Sequence, residues 1–284
     1  MKLKSLVALS TLLFASAQAA ESFHAEAYGE GAPIILIPGL SCDQSVWQET
    51  VDRYKSKNQI HALSIKGFGK RASTERHERL IDTVTHELHA YIQENQLHDP
   101  VIVGHSLGGF IALNHAIHYP DTVSRLLIVD SLPFLPAAMN PAATVETVKQ
   151  AAQATREQVS QQGQNRESAR QMLRAMITDP SNIERALDIS LASDPSIVAQ
   201  AMYEMNTTDL RPDVSKISAR TVVLGAWFAY QQFGSTKEST AAIFDNQYED
   251  LENYELHMSE TGKHFLMWDD PELFYAQLDA LLQQ

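Results

Sequence analysis

Short apolar runs along the chain alternate with longer stretches whose apolar positions recur at helical spacing. Seven runs read as strands: Ser22–Tyr28, Ile34–Ile37, Ile60–Ile65, Val101–Val103, Leu126–Val129, Thr221–Leu224 and Asn253–His257. Helical patterns fall between them near Val46–Lys55, Leu80–Gln96, Leu107–His118, Thr236–Asn246 and Pro271–Leu282. Pro271-Glu272 is a good helix opening, because proline's missing N–H costs nothing in the first turn. Strands that alternate with helices pair in parallel and carry the helices on their faces. The pattern therefore predicts an α/β fold, a mostly parallel sheet of about seven strands flanked by helices.

One region breaks the alternation. From Ser131 to about Ala219 no strand pattern occurs, and helical stretches follow one another near Ala142–Gln162, Arg166–Thr178, Ile183–Leu191 and Ser196–Asn206. Breaker clusters separate them at Gly163, Asp179-Pro180-Ser181 and Ser193-Asp194-Pro195. A helical block between two strands of one sheet reads as a lid over the strand ends. The expected division is a leader over residues 1–19, a core over 20–130, the lid over 131–219, and the rest of the core over 220–284.

Composition changes this picture little. A chain of 284 residues with 44% hydrophobic content can bury one large core. Its formal charge of −13, with no long run of Lys or Arg, repels phosphate backbones and argues against a nucleic-acid partner. The N-terminus adds more. Lys2 and Lys4 precede a short apolar run, Leu6 to Phe14, and Ala17-Gln18-Ala19 supplies small residues where a signal peptidase reads. That is the pattern of a secretory signal peptide cut after Ala19, too short to span a bilayer comfortably. The expected mature protein is exported, periplasmic or extracellular, and soluble without stable membrane insertion. Cys42 is the single cysteine, so no internal disulfide forms and a hydrophobic core must stabilise the fold. The oligomeric state is open.

The sharpest chemical signal is Val101-Ile-Val-Gly104-His105-Ser106-Leu107-Gly108-Gly109, a buried strand running through Gly-x-Ser-x-Gly into an amphipathic helix. A serine on so tight a turn needs small residues two before and two after it, which Gly104 and Gly108 supply. The helix that follows aims its first N–H groups at developing negative charge.

With this motif the chain resembles the α/β-hydrolase family, over nearly all of its expected mature length. Ile34-Ile-Leu-Ile-Pro38-Gly39-Leu40 looks like the family's oxyanion loop, and Gly67-Phe68-Gly69 like its Gly-x-Gly turn. Gly262-Lys263-His264-Phe265, followed by Asp270-Pro271-Glu272, resembles its histidine loop and final helix. Within the family the resemblance leans to exported members of the esterase and lipase-like branch. It implies Ser106 as nucleophile, His264 as general base and then acid, and the backbone N–H groups of Leu40 and Leu107 as an oxyanion hole. Among the other histidines, His86 and His89 lack the His-Glu-x-x-His spacing of a zinc helix, and His105 is expected to point into structure. Cys42 is a second conceivable nucleophile or a small buried filler.

The acid is less direct. In most of the family it follows the strand equivalent to Thr221–Leu224, but here Gly225-Ala-Trp227-Phe228-Ala-Tyr230-Gln-Gln-Phe233-Gly follows, without a carboxylate before Glu238. Some members carry it one strand earlier, and Asp130 stands at that strand's end. Its competing role is a cap for the loop that opens the lid, and Glu238 and Asp245 are alternative acids. Phe134, Trp227, Phe228 and Tyr230 are the expected substrate pocket. Met202, Tyr203 and Met205 read as lid core.

The expected activity is hydrolysis of a small-molecule carboxylic ester through an acyl-enzyme, with no cofactor and no metal. Lactone or amide hydrolysis with the same machinery is the alternative. An iminopeptidase would need lid carboxylates such as Glu184, Asp188, Asp194 or Glu204 to hold a free amine. A catalytically silent binding protein on the same fold, or an envelope interaction protein, is the reading from outside enzymology.

Overall fold

The computed structural model describes residues 20–71, 77–163 and 165–283. The leader assigned to residues 1–19 lies outside them. Seven strands form one sheet: β1 (Phe23–Tyr28), β2 (Ala32–Ile37), β3 (Asn58–Ile65), β4 (Val101–His105), β5 (Arg125–Val129), β6 (Arg220–Gly225) and β7 (Tyr254–Met258). Their spatial order is β1-β3-β2-β4-β5-β6-β7, with β1 antiparallel to β3 and every other pair parallel. The crossovers carry α1 (Gln48–Tyr54), α2 (Leu80–Glu94), α3 (Leu107–His118), the insertion and α8 (Lys237–Gln247), and α9 (Leu266–Asp269) and α10 (Pro271–Leu282) follow β7. The insertion holds α4 (Val145–Gln162), α5 (Arg166–Met176), α6 (Pro180–Leu191) and α7 (Pro195–Thr207).

The inner strands β2, β4, β5 and β6 are apolar almost throughout because both faces of the sheet are covered there. Alternate residues divide between two cores. Ile35, Ile37, Ile102, Leu126, Ile128 and Val223 pack with Val84 and Leu88 of α2, Phe110 and Leu113 of α3, and Phe244 of α8. Ile34, Leu36, Val101, Val103, Leu127, Val129, Val222 and Leu224 pack with Val51 of α1 and Phe274, Leu278 and Leu281 of α10. Parallel register then aligns the strand ends: His105 pairs with Val129, Val129 with Leu224, and Gly225 with Met258. One edge of the sheet thus collects the turns after β2, β4, β5, β6 and β7.

The inserted helices begin at sharp local signals. Asn165, Asp179 and Asp194 cap α5, α6 and α7, each accepting two backbone N–H groups, and Pro180 and Pro195 stand in first turns. The insertion divides over the two cores, with Ile197, Val198 and Ala201 of α7 in one and Leu173, Ile183 and Leu187 of α5 and α6 in the other. Its return to the sheet is tied by Arg211, which pairs with Asp209 at 2.6 Å and donates to the Ala143 carbonyl at 3.3 Å. Among the described residues no helix is long and apolar enough to cross a membrane.

Candidate active site

Ser106 joins β4 to α3 with φ 53° and ψ −118°, a backbone region that non-glycine residues rarely enter. Such a conformation costs on the order of 1–3 kcal/mol and persists only where neighbours over-determine it. Here they do. The Ser106 N–H donates to the Val129 carbonyl at 2.9 Å, and the Ser106 carbonyl accepts from Phe110 N–H at 3.0 Å. The turn is also closed sterically, because a Cβ at Gly104 would meet the Gly108 carbonyl and one at Gly108 would meet the Ile37 carbonyl. The serine is thereby thrust out at the strand ends with the first turn of α3 beneath it.

Asp130 ends β5 in the same manner. Its φ is 47°, and its N–H donates to the Leu224 carbonyl at 2.7 Å, extending the sheet ladder by one bond. One carboxylate oxygen accepts from the Ala226 N–H at 2.9 Å. The other accepts from His264 Nδ1–H at 2.6 Å. That bond leaves Nε2 of His264 as the basic nitrogen. Among the described residues, neither Nε2 nor the Ser106 hydroxyl makes a hydrogen bond; contacts of this kind often close only around substrate. Glu238 lies in the first turn of α8 and Asp245 accepts from the Tyr254 hydroxyl at 3.3 Å, so it is Asp130 that the fold brings to His264.

The loop carrying His264 is fastened at both ends. Ser259 Oγ donates to Asp270 at 2.6 Å and accepts from Gly262 N–H at 2.8 Å. On the other side the loop is sewn to the insertion. Lys263 Nζ donates to the Arg174 and Ile177 carbonyls at 2.8 and 3.3 Å, and Phe265 N–H to the Met176 carbonyl at 3.3 Å. Asp269 accepts from Lys263 N–H and from the N–H and hydroxyl of Thr178. The bonds to the insertion escaped the sequence reading, because residues about ninety positions apart leave no local signal of meeting.

The remaining candidates separate by burial. Leu107 opens α3 and Leu40 follows β2, and among the described residues neither backbone N–H has a protein acceptor. Trp227 is pinned by its indole N–H to the Ser259 carbonyl at 3.0 Å and meets Phe228 edge-on. Phe228 and Tyr230 are exposed, and desolvation together with the Asp130 charge raises the pKa of the Tyr230 hydroxyl. Phe134 must be corrected. It is fully buried in a small cluster with Ala137 and Ala143, with the Arg211 guanidinium 4.9 Å over its ring. It therefore packs the root of the insertion rather than lining an open pocket. Cys42 is buried, and desolvation followed by the Asp43 charge pushes its thiol up to about 12, which suits a filler and not a nucleophile. Among the described residues no group of three or more His, Cys, Asp or Glu is placed to hold a metal ion.

A parallel sheet whose strand ends carry a strained serine, a carboxylate and a histidine, in that chain order, defines a protein of the α/β-hydrolase fold. The alpha/beta hydrolase family matches residues 34–277, and the chain belongs to that family. The pimeloyl-[acyl-carrier protein] methyl ester esterase of Vibrio atlanticus is 32% identical over 113 residues, which is 40% of this chain and 42% of that protein. The chain thus spans about two fifths of the length of the curated relatives it first matches. Among solved structures, the enol-lactonase from Burkholderia xenovorans LB400 has a TM-score of 0.74 at 14% identity, covering 92% of this chain and 96% of that one. An esterase from Exiguobacterium antarcticum has a TM-score of 0.75 at 17% identity, covering 93% and 98%. At such identities the likeness is one of fold.

Proposed function

We propose that the chain is a serine hydrolase that cleaves a small-molecule carboxylic ester through an acyl-enzyme. The observation that carries this reading is the 2.6 Å bond from His264 Nδ1–H to Asp130, at the sheet edge where Ser106 is held strained. His264 Nε2 takes the Ser106 hydroxyl proton while Oγ bonds to the ester carbonyl carbon. The oxygen that becomes negative is received by the N–H groups of Leu40 and Leu107, which among the described residues have no other acceptor. The intermediate collapses as the carbon–alkoxide bond breaks, and His264 returns the proton to the departing alcohol. Water then repeats the sequence on the acyl-serine and releases the acid. Asp130 keeps the imidazole in the productive tautomer and stabilises its cation as it forms.

Trp227, Phe228 and Tyr230 form the apolar wall we assign to substrate, and the helical insertion is the cap that closes over it. Amine recognition has no support in the four carboxylates it would use. Glu184 and Asp188 pair with Arg166 and Arg170, Asp194 caps α7, and Glu204 accepts from Leu80 and Ile81 N–H. This favours an ester over an iminopeptidase substrate. Export rests on the Lys2, Lys4 and Ala17-Gln18-Ala19 pattern, and N-terminal sequencing that begins at Ala20 would support it.

The test is intact mass after exposure to a fluorophosphonate. One adduct on the wild type and none on Ser106→Ala is the expected result, with an ester and lactone panel to follow. A folded wild type that gains no adduct would remove the hydrolase reading and favour a silent binding protein.

A further inference from the structure

His105, the residue inside the elbow that the mechanism above does not use, is buried to 1% exposure beneath the site. A backbone carbonyl can only accept, so the 3.0 Å contact between His105 Nε2 and the His264 carbonyl is an N–H donated by His105. The two rings lie 4.7 Å apart at 53°, and the Phe265 ring also packs against His105 at 4.5 Å. Gly39 presses from the oxyanion loop, where a Cβ would stand 2.9 Å from His105 Nδ1 and 3.2 Å from the Ser106 Cβ. One imidazole thus touches three segments that must converge: the elbow, the oxyanion loop and the histidine loop.

We infer that His105 is a positioning residue, whose Nε2–H holds the backbone of His264 at the height from which the imidazole reaches Ser106 and Asp130 together. The inference rests on the hydrolase reading of the same site. Two features fit the role. Nδ1 of His105 is buried without a partner, a cost that a merely space-filling phenylalanine or leucine would avoid. Burial first, and the neighbouring His264 second, hold the His105 pKa well below the ordinary value, so the ring stays neutral beside an imidazole that must become a cation. A neutral ring with its proton fixed on Nε2 donates to His264 without opposing its charge. Leu or Phe at this position would leave the His264 carbonyl without its donor.

The experiment compares His105→Phe, which keeps the ring and loses the donor, with His105→Gln, whose amide N–H reaches the same height. Fluorophosphonate labelling rates and p-nitrophenyl butyrate kinetics are measured on the full chain, with Ser106→Ala as the unlabelled control. We expect His105→Phe to lose roughly 100-fold in labelling rate and kcat at unchanged KM, the scale of a small misplacement of a reacting group. His105→Gln should recover most of that loss. A second readout is the downfield proton of His264 Nδ1–H in NMR, expected to survive in the Gln variant and broaden in the Phe variant. If His105→Phe does not fold, His105→Asn, too short to reach the carbonyl, takes its place against Gln. Wild-type rates in the donor-less variant, or equal rates in both variants, would overturn the positioning role while leaving Ser106 reactive. A wild type that takes no label at all would overturn the hydrolase reading instead.

Discussion

At the scale of single residues, two backbones at the candidate site are held where side-chained residues are rarely found. Ser106 and Asp130 both have positive φ, and each is locked by an N–H that extends the sheet ladder past its last residue. Exchange of Asp130 for Asn keeps the shape and reverses the donor logic at His264 Nδ1, so the wrong tautomer faces Ser106. We expect Asp130→Asn to lower kcat by about 10⁴-fold with the melting temperature nearly unchanged, as read by ester kinetics and calorimetry. Turnover within tenfold of wild type would remove Asp130 from the relay. Asp130 was legible because a carboxylate at a strand's end is constrained by the strand itself. Phe134, only four residues on, was misread, since past the strand nothing local dictates which way a side chain turns.

Elements were legible from local signals, burial on both faces for the inner strands and capping residues for the inserted helices. The inner strands announce themselves because alternate residues serve two cores, and the inserted helices α5, α6 and α7 because Asn165, Asp179 and Asp194 cap them visibly. The seam between α5 and the histidine loop was not legible. Its bonds join Lys263 to Arg174 and Ile177, and Asp269 to Thr178, across 86 to 91 residues of chain. Removal of the Lys263 ammonium leaves the part-buried Ile177 carbonyl without that donor while the exposed Arg174 carbonyl turns to water, a loss on the order of 1 kcal/mol. Lys263→Met should therefore speed amide exchange over residues 262–266 and lower kcat more than it raises KM. Exchange confined to α5, with the loop as protected as in wild type, would mean the seam does not reach His264.

For the whole molecule, acid is the sensitive direction. Burial first, then the neighbouring His89 and His118, lower the His115 pKa from 6.5 to about 3, and His105 is shifted the same way. A histidine kept neutral in the folded state contributes stability that is complete above 6.5 and shrinks as pH falls through that value, because the unfolded chain takes the proton first. Between pH 6.5 and 5 the loss is about 2 kcal/mol for one such histidine. Glu204 acts in the opposite sense: burial raises its pKa, so its penalty at neutral pH is relieved as pH falls toward the ordinary carboxylate range. With four histidines shifted down among the described residues, His61 and His89 included, against one carboxylate shifted up, unfolding free energy from urea titrations should be lower at pH 5 than at pH 7. In His115→Leu the same drop should be smaller by about 2 kcal/mol. An identical pH dependence in that variant would show that His115 is protonated in the folded state.

The position of the carboxylate has a wider consequence. Because Asp130 approaches His264 from the end of β5, the turn after β6 need not supply a carboxylate to His264, and aromatics at Trp227, Phe228 and Tyr230 occupy it instead. On the proposed reading, the wall that would choose the acyl or alcohol group is thus physically separate from the groups that would move the proton. Substitutions at those aromatic positions should then alter substrate preference while leaving the His264–Asp130 bond in place.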